Sequence, residues 1–136
     1  MFKTVLFPVD RSREAQEAAL VVADIVKRYG SRLVILSVLE ESDAEAEKPE
    51  SPMMSHDAIS ELLKEAKAAF AQQGIETETL ERQGKPAFVI CDVADEIEAN
   101  LIVMGSRGLG LTEEGASESI TSLVINLSPC PVLIVP

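Results

Sequence analysis

A glycine-rich segment that follows a strongly apolar run is the part of this sequence best suited to bind a ligand. Leu101–Met104 is apolar and leads directly into Gly105-Ser106-Arg107-Gly108, and an amphipathic segment begins shortly afterwards. Such a loop exposes backbone N–H groups, and the positive end of the following helix adds to their attraction for an anion. The pattern indicates a phosphate site at the carboxyl end of a parallel strand, although a glycine-rich loop alone is weak evidence.

An acidic residue stands where the helix after this loop is expected to begin. Glu118 can place a carboxylate in the position of the anion, or it can serve only the helix, because the helix dipole stabilises an acid in the first turn. Its neighbour Ser119 also has two interpretations, as a hydrogen-bond donor to a phosphate oxygen or as a helix cap.

Other chemically capable residues are scattered along the chain. Asp10 follows the first apolar run and either contacts a ligand or caps the first helix. His56 is the single histidine and has no matching ligands near it in sequence, which argues against a metal site. Cys91 and Cys130 form no C-x-x-C motif and are interpreted as small buried hydrophobic side chains. Ser106 has no evident histidine and aspartate partners for nucleophilic catalysis.

Apolar runs alternate with amphipathic segments, which predicts a doubly wound α/β fold with a five-stranded parallel sheet and helices on both faces. The polar third strand is typical of a sheet edge, and the apolar second strand of its centre. The strands are expected at Thr4–Val9, Leu33–Leu39, Ile75–Arg82, Leu101–Met104 and Val132–Val135. The helices are expected to begin at Ser12, at Ser55 or Asp57, near Pro86 and near Glu118, with Gly30 and Gly74 ending the first two and Leu127 near the end of the last.

Ligands of doubly wound sheets bind outside the carboxyl ends of the strands, where the strand order reverses. Asp10 follows the first predicted strand, and the loop 105–110 follows the fourth. If those two strands are neighbours, both groups line one crevice.

Length and charge exclude several classes of protein. The 136 residues suit a single domain spanning 1–136, and the net charge of −11 argues against nucleic acid or an anionic membrane as a partner. We expect a cytoplasmic protein, because the chain lacks a signal peptide, a long apolar run and a disulfide-like cysteine pattern. The acidic segment 41–54 contains two prolines and is expected to be mobile and sensitive to proteases.

The chain resembles the universal stress protein family from end to end. The resemblance rests on Val5-Leu6-Phe7-Pro8-Val9-Asp10, on the run from Leu101 to Gly108, and on Pro129-Cys130-Pro131-Val132-Leu133-Ile134-Val135. It implies strand order 3-2-1-4-5, an adenine nucleotide alpha hydrolase-like fold, and ATP or AMP bound by some members between the first and fourth strands. It also implies a homodimer in which the last strand, Val132–Val135, pairs antiparallel with its twin.

The family's nucleotide motif reads G-x2-G-x9-G-S/T, and this chain departs from it at one position. Gly105 and Gly108 match the first two glycines and Ser119 the final position, but Glu118 replaces the third glycine. A side chain there obstructs close approach of a phosphate, and its carboxylate repels it. The resemblance further implies nucleotide contacts by the side chain of Asp10, the backbone of Val38, and Ser106 and Arg107 in the loop.

The sequence therefore favours a non-catalytic stress-response or regulatory domain that acts as a homodimer. It is expected to need no cofactor, to bind ATP weakly or not at all, and to tolerate AMP or adenosine better. Two alternatives stay open: an ATP-binding member of the family with at most slow hydrolysis, and an unrelated flavodoxin-like enzyme. No P-loop lysine follows the glycines, which argues against efficient ATP hydrolysis, and the lack of tryptophan argues against flavin.

Overall fold

A computed structural model of the chain describes residues 1–10, 13–40, 56–105 and 116–136. These residues form a parallel five-stranded sheet with strand order β3-β2-β1-β4-β5, so the predicted fold class and order are confirmed. The strands are β1 (Thr4–Pro8), β2 (Arg32–Glu40), β3 (Thr77–Gly84), β4 (Leu101–Gly105) and β5 (Val132–Val135). The helices are α1 (Arg13–Tyr29), α2 (His56–Ala71), α3 (Pro86–Glu96) and α4 (Ala116–Leu127).

The helices divide between the two faces of the sheet because the chain winds outward from β1 in both directions. Right-handed crossovers put α1 and α2 on one face and α3 and α4 on the other. Alternate residues of β1 serve the two cores: Phe7 packs with α1 and α2, and Leu6 packs with α3 and with Val124 of α4. The sheet is therefore buried on both faces, as the apolar sequences of β1, β2 and β4 predict.

The third strand differs in its bounds from the sequence prediction. It begins at Thr77, two residues after the predicted start at Ile75, and continues to Gly84, two residues beyond the predicted end at Arg82, because β2 pairs with it as far as Gly84 opposite Glu40. Gly84 has φ +145°, and a Cβ there would lie 2.9 Å from Cγ2 of Val89, so the junction with α3 requires glycine. The position of β3 at the sheet edge is confirmed.

Helix ends agree in part with the sequence. Gly30 follows α1 with φ +63°, as expected of a glycine that ends a helix, whereas α2 ends at Ala71, before Gly74. The predicted cap Ser12 and the predicted mobile segment 41–54 lie outside the described residues.

A side chain joins β1 and β4 at their amino-terminal ends. The N–H of Thr4 donates to Oδ1 of Asn100 at 2.8 Å, and the N–H of Asn100 donates to the Thr4 carbonyl at 2.7 Å. The strands β1 and β4 are adjacent in the sheet but far apart in the sequence. This reciprocal pair of hydrogen bonds therefore fixes the position at which their ladder starts.

Replacing Asn100 by alanine is expected to lower the free energy of unfolding by roughly 1–2 kcal/mol, because the part-buried N–H of Thr4 loses its acceptor. Urea denaturation followed by circular dichroism measures the change. Asn100→Asp keeps an acceptor oxygen and should cost less than the alanine variant. Equal losses in the two variants would contradict this role of the side-chain oxygen.

Candidate functional site

The two central strands β1 and β4 pair over only part of their length. Among the described residues their pairs are Val5 with Leu101 and Leu6 with Ile102, although both strands continue beyond these positions. In contrast, β1 pairs with β2 at every one of its residues. The sheet therefore has an unpaired gap between β1 and β4 at their carboxyl ends.

Proline explains why this ladder stops. Peptide groups alternate sides along a strand: the Thr4 carbonyl faces Asn100 beside β4, and the Val9 N–H faces β2, donating to the Leu36 carbonyl at 2.8 Å. By this alternation the nitrogen of Pro8 faces β4, where it has no hydrogen to donate. Pro8, which belongs to the run that resembles the family, therefore ends the ladder between β1 and β4 and leaves the gap.

The gap lies at the point where the strand order reverses. Gly105 ends β4 and is buried, and Asp10 follows β1 at the same edge of the sheet. The expectation that the first and fourth strands are neighbours is confirmed. Three further residues predicted to contact phosphate, Ser106, Arg107 and Gly108, lie outside the described residues.

The second strand brings another predicted residue to this edge. Pro8, the last residue of β1, lies opposite Leu36, so Val38 follows this pair by two residues along β2, and Asp10 follows it by two residues along the chain after β1. The side chain of Val38 is buried in the core beneath α3, so a ligand at the sheet edge meets its backbone. This placement suits the backbone contact that the family resemblance implies for Val38.

The helix after the glycine loop begins close to the motif position that departs from the family. Since α4 starts at Ala116, Glu118 lies in its first turn and Ser119 follows directly. The first N–H groups of a helix have no partner within the helix, and this end attracts anions. The backbone of residue 118 is thus at the amino-terminal end of α4; the side chains of 116–119 are not among those that the structure describes.

Three described arginines pair with carboxylates away from this edge of the sheet, and one of these pairs, Arg28 with Asp24 at 3.2 Å, lies within α1. Arg32 makes a bidentate pair with Glu78 at 2.7 and 2.8 Å, and Arg82 pairs with Glu96 at 3.1 and 3.2 Å. Hydrogen bonds from the guanidinium groups lower the pKa of both glutamates. The two pairs with glutamate join β2 to β3 and β3 to α3, and both are exposed enough that solvent screens them.

The fifth strand is an open edge. The Pro131 carbonyl accepts from the Ile102 N–H at 3.0 Å, so by alternation the peptide groups of Val132 and Ile134 face away from β4. Leu133 is 37% exposed, and the other three residues of β5 are half-buried. Within the described parts of the chain no strand pairs with this side of β5, and an apolar strand with such an edge is suited to pairing with another strand.

The described residues contain no group of three metal-binding side chains and no helix long and apolar enough to cross a membrane. Cys91 is buried and Cys130 half-buried, and burial raises the pKa of both thiols. A raised pKa disfavours the reactive thiolate, in agreement with a packing role.

One feature was not anticipated from the sequence. A cavity of about 440 Å³ lies between α1 and α2. The sequence feature that corresponds to this cavity is the set of alanines on the facing sides of α1 and α2. These alanines recur at helical spacing, which is also typical of an ordinary helix core, so they do not indicate a cavity.

Comparison with known proteins agrees with the fold and with the motifs. A model of the universal stress protein family matches residues 1–136. A universal stress protein of Synechocystis sp. is 59% identical over 136 residues, which cover 100% of this chain and 87% of the relative. The structure of universal stress protein UspA from Lactobacillus plantarum superposes with a TM-score of 0.81 at 26% identity, covering 99% of this chain and 98% of that one.

A further similar structure contains a nucleotide. The universal stress protein from Archaeoglobus fulgidus in complex with dAMP has a TM-score of 0.73 at 23% identity, covering 99% of this chain and 98% of that one. At this identity the likeness concerns the fold alone. By the family match along its whole length and by its close relative, the chain belongs to the universal stress protein family.

Proposed function

We propose that this protein is a non-catalytic regulatory domain that binds an adenine nucleotide at the gap between β1 and β4 and acts as a homodimer. In this proposal AMP or adenosine binds better than ATP. One observation carries it: the gap at the switch point places Asp10, Val38 and Gly105 at one edge, while Glu118 stands in the first turn of α4.

The nucleoside end of the ligand is assigned to β1 and β2. The carboxylate of Asp10 can accept hydrogen bonds from ribose hydroxyl groups or from the amino group of adenine. The backbone at Val38, two residues beyond the partner of Pro8 on β2, borders the adenine. The Archaeoglobus fulgidus relative, whose structure contains dAMP, supports a nucleoside monophosphate as the ligand class.

The phosphate end is assigned to the glycine loop and the start of α4. A negative charge at about 5 Å from a phosphate, at an effective dielectric constant of about 20, costs roughly 3 kcal/mol per unit charge pair before salt screening. Each further phosphate brings more charge towards Glu118 and towards Glu113 and Glu114 in the same loop. Affinity is therefore expected to fall from AMP to ATP.

The homodimer is assigned to β5. Its unpaired edge offers the peptide groups of Val132 and Ile134 to a second copy, and antiparallel pairing about a two-fold axis satisfies both strands. Pro131 and Pro136 limit the length of the ladder, because proline donates no hydrogen bond. The two free cysteines suit a reducing, cytoplasmic setting.

Identification of released nucleotides and equilibrium binding test this proposal together. The purified protein is denatured and its supernatant analysed by mass spectrometry, and the refolded or nucleotide-free protein is titrated with AMP and with FMN. We expect saturable binding of AMP and no saturation by FMN. Binding of FMN in preference to AMP would favour a flavodoxin-like protein and contradict the assignment.

A further inference from the structure

A second cavity lies at the amino-terminal edge of the sheet, at the opposite end of the strands from the gap between β1 and β4. It is bounded by the carboxyl-terminal end of α1, the start of β2 and the segment that runs from Gly74 into β3. Its volume of about 520 Å³ is within the range of sites that take small organic ligands. All of its lining side chains belong to the described part of the chain. We call this space the amino-edge cavity.

Thr77 places an unsatisfied hydroxyl group in the wall of the amino-edge cavity. Its side chain is 8% exposed, and no group among the residues that the structure describes hydrogen bonds to its Oγ1. Leu33, opposite Thr77 in the ladder, packs in the core beneath α1 and α2, so Thr77 lies on the inner side of the cavity. A buried hydroxyl group without a partner costs free energy, which a ligand that hydrogen bonds to it recovers.

The charged groups around this cavity balance. Lys27 and Arg32 are its basic lining residues, and Glu76 and Glu78 are its acidic ones. The guanidinium of Arg32 is held by Glu78 in the bidentate pair, and Nζ of Lys27 donates to Oε1 of Gln73 at 3.2 Å. An anionic ligand would meet the two carboxylates, and a cationic ligand would meet the two basic groups. The lining therefore favours a ligand without net charge.

The lining combines hydrogen-bond donors, acceptors and an apolar surface. Ammonium and guanidinium groups only donate and carboxylates only accept, whereas a hydroxyl group does both. A ligand hydroxyl group can therefore pair with each polar group of the lining and with Oγ1 of Thr77. The buried side chains of Val26, Leu33 and Ile75 offer an apolar surface to the C–H groups of a ring.

We propose that the amino-edge cavity binds a small uncharged ligand with several hydroxyl groups, such as a monosaccharide or a cyclic polyol. Its hydroxyl groups bond to Oγ1 of Thr77 and to the pair of Arg32 and Glu78, and its ring lies against Ile75. The site shares no residue with the proposed nucleotide site and does not depend on nucleotide binding.

Titration of the isotope-labelled full-length protein with glucose, observed by NMR, tests the site. Tetrahydropyran has the same ring without hydroxyl groups and serves as the matched ligand. We expect saturable shifts of the amides of Gly30, Gly74 and Thr77, and an affinity for glucose about tenfold or more above that for tetrahydropyran. Equal binding of the two ligands, or no saturable shift with glucose, would overturn the proposal.

Two charged derivatives of the same hexose test the balance of charges. Glucosamine carries an ammonium group and glucuronate a carboxylate. We expect both to bind no more tightly than glucose, because each brings its charge towards groups of the same sign. An affinity for either derivative about tenfold or more above that for glucose would contradict an uncharged ligand.

Substitution of Thr77 separates ligand binding from a structural role of its hydroxyl group. Thr77→Val keeps the shape of the side chain and is expected to lower the affinity for glucose about fivefold. The midpoint of urea unfolding of the free protein should not fall, because the hydroxyl group has no partner to lose. Thr79→Val, on the same face of β3 but outside the lining, should leave binding unchanged. Equal binding effects of the two variants, or a lower unfolding midpoint with unchanged binding in Thr77→Val, would contradict the assignment.

A pair of arginine variants tests the rim of the cavity. Arg32→Gln removes donors from the lining and is expected to weaken glucose binding several-fold. Arg28→Gln makes the same change in net charge on α1, where Arg28 pairs with Asp24 outside the lining, and should leave binding unchanged. Equal effects of the two substitutions would contradict the site.

Discussion

Replacing Glu118 by glycine is expected to increase the affinity for ATP by about 1–3 kcal/mol, or about five- to 150-fold. The substitution restores the third glycine of the motif G-x2-G-x9-G-S/T in the first turn of α4. It removes a carboxylate and also the Cβ that hinders close approach of the backbone to a phosphate. Isothermal calorimetry of the original protein and the variant with ATP and AMP measures the gain.

A second substitution separates charge from shape at this position. Glu118→Gln removes the charge but keeps the side chain, so it should recover only part of the gain in ATP affinity. AMP binding should change less than ATP binding in both variants, because AMP brings less charge to the loop. If Glu118→Gly leaves ATP binding unchanged, the glutamate serves only the helix dipole.

Replacing Leu133 by aspartate is expected to weaken the proposed homodimer, raising its dissociation constant about tenfold or more. The variant places a charge on the edge strand of each copy, and the two-fold axis doubles the effect. Because Leu133 is already 37% exposed, the monomer should stay folded. Sedimentation equilibrium at micromolar concentration measures the change, and circular dichroism verifies the fold.

A matched substitution controls for added charge. Leu20→Asp introduces the same acid on α1, beside the cavity that faces α2, where Leu20 is 68% exposed. It should leave the dimer intact. Identical shifts in the two variants, or a purely monomeric original protein, would contradict pairing through β5.

Much of the fold could be predicted because the apolar and polar patterns that define its strands and helices are local in sequence. Apolar runs such as Leu33–Leu39 indicate strands buried on both faces, and the polar composition of β3 indicates an edge. The end of β3 at Gly84 could not be predicted, since the sequence Gly84-Lys85-Pro86 also suits a turn. The pairing of Gly84 with Glu40 of β2 reveals its position, and a Cβ at Gly84 would lie only 2.9 Å from Cγ2 of Val89.

The candidate site was predictable in its parts but not in its assembly. Asp10 and Gly105 were both expected at strand ends, yet their shared edge depends on β1 and β4 being neighbours, which is a property of the whole sheet. The role of Pro8 in opening the gap needed the observed alternation of peptide groups. The cavity between α1 and α2 depends on how far apart two helices pack, and no local pattern encodes that distance.

Calorimetric titration of the unmodified protein with AMP and with ATP, at low and at high ionic strength, measures whether the β1 and β4 edge binds adenine nucleotides and whether Glu118 disfavours added phosphates. We expect AMP to bind about tenfold or more tightly than ATP, with the difference reduced by added salt. ATP binding as tight as AMP binding, or tighter, would contradict the account.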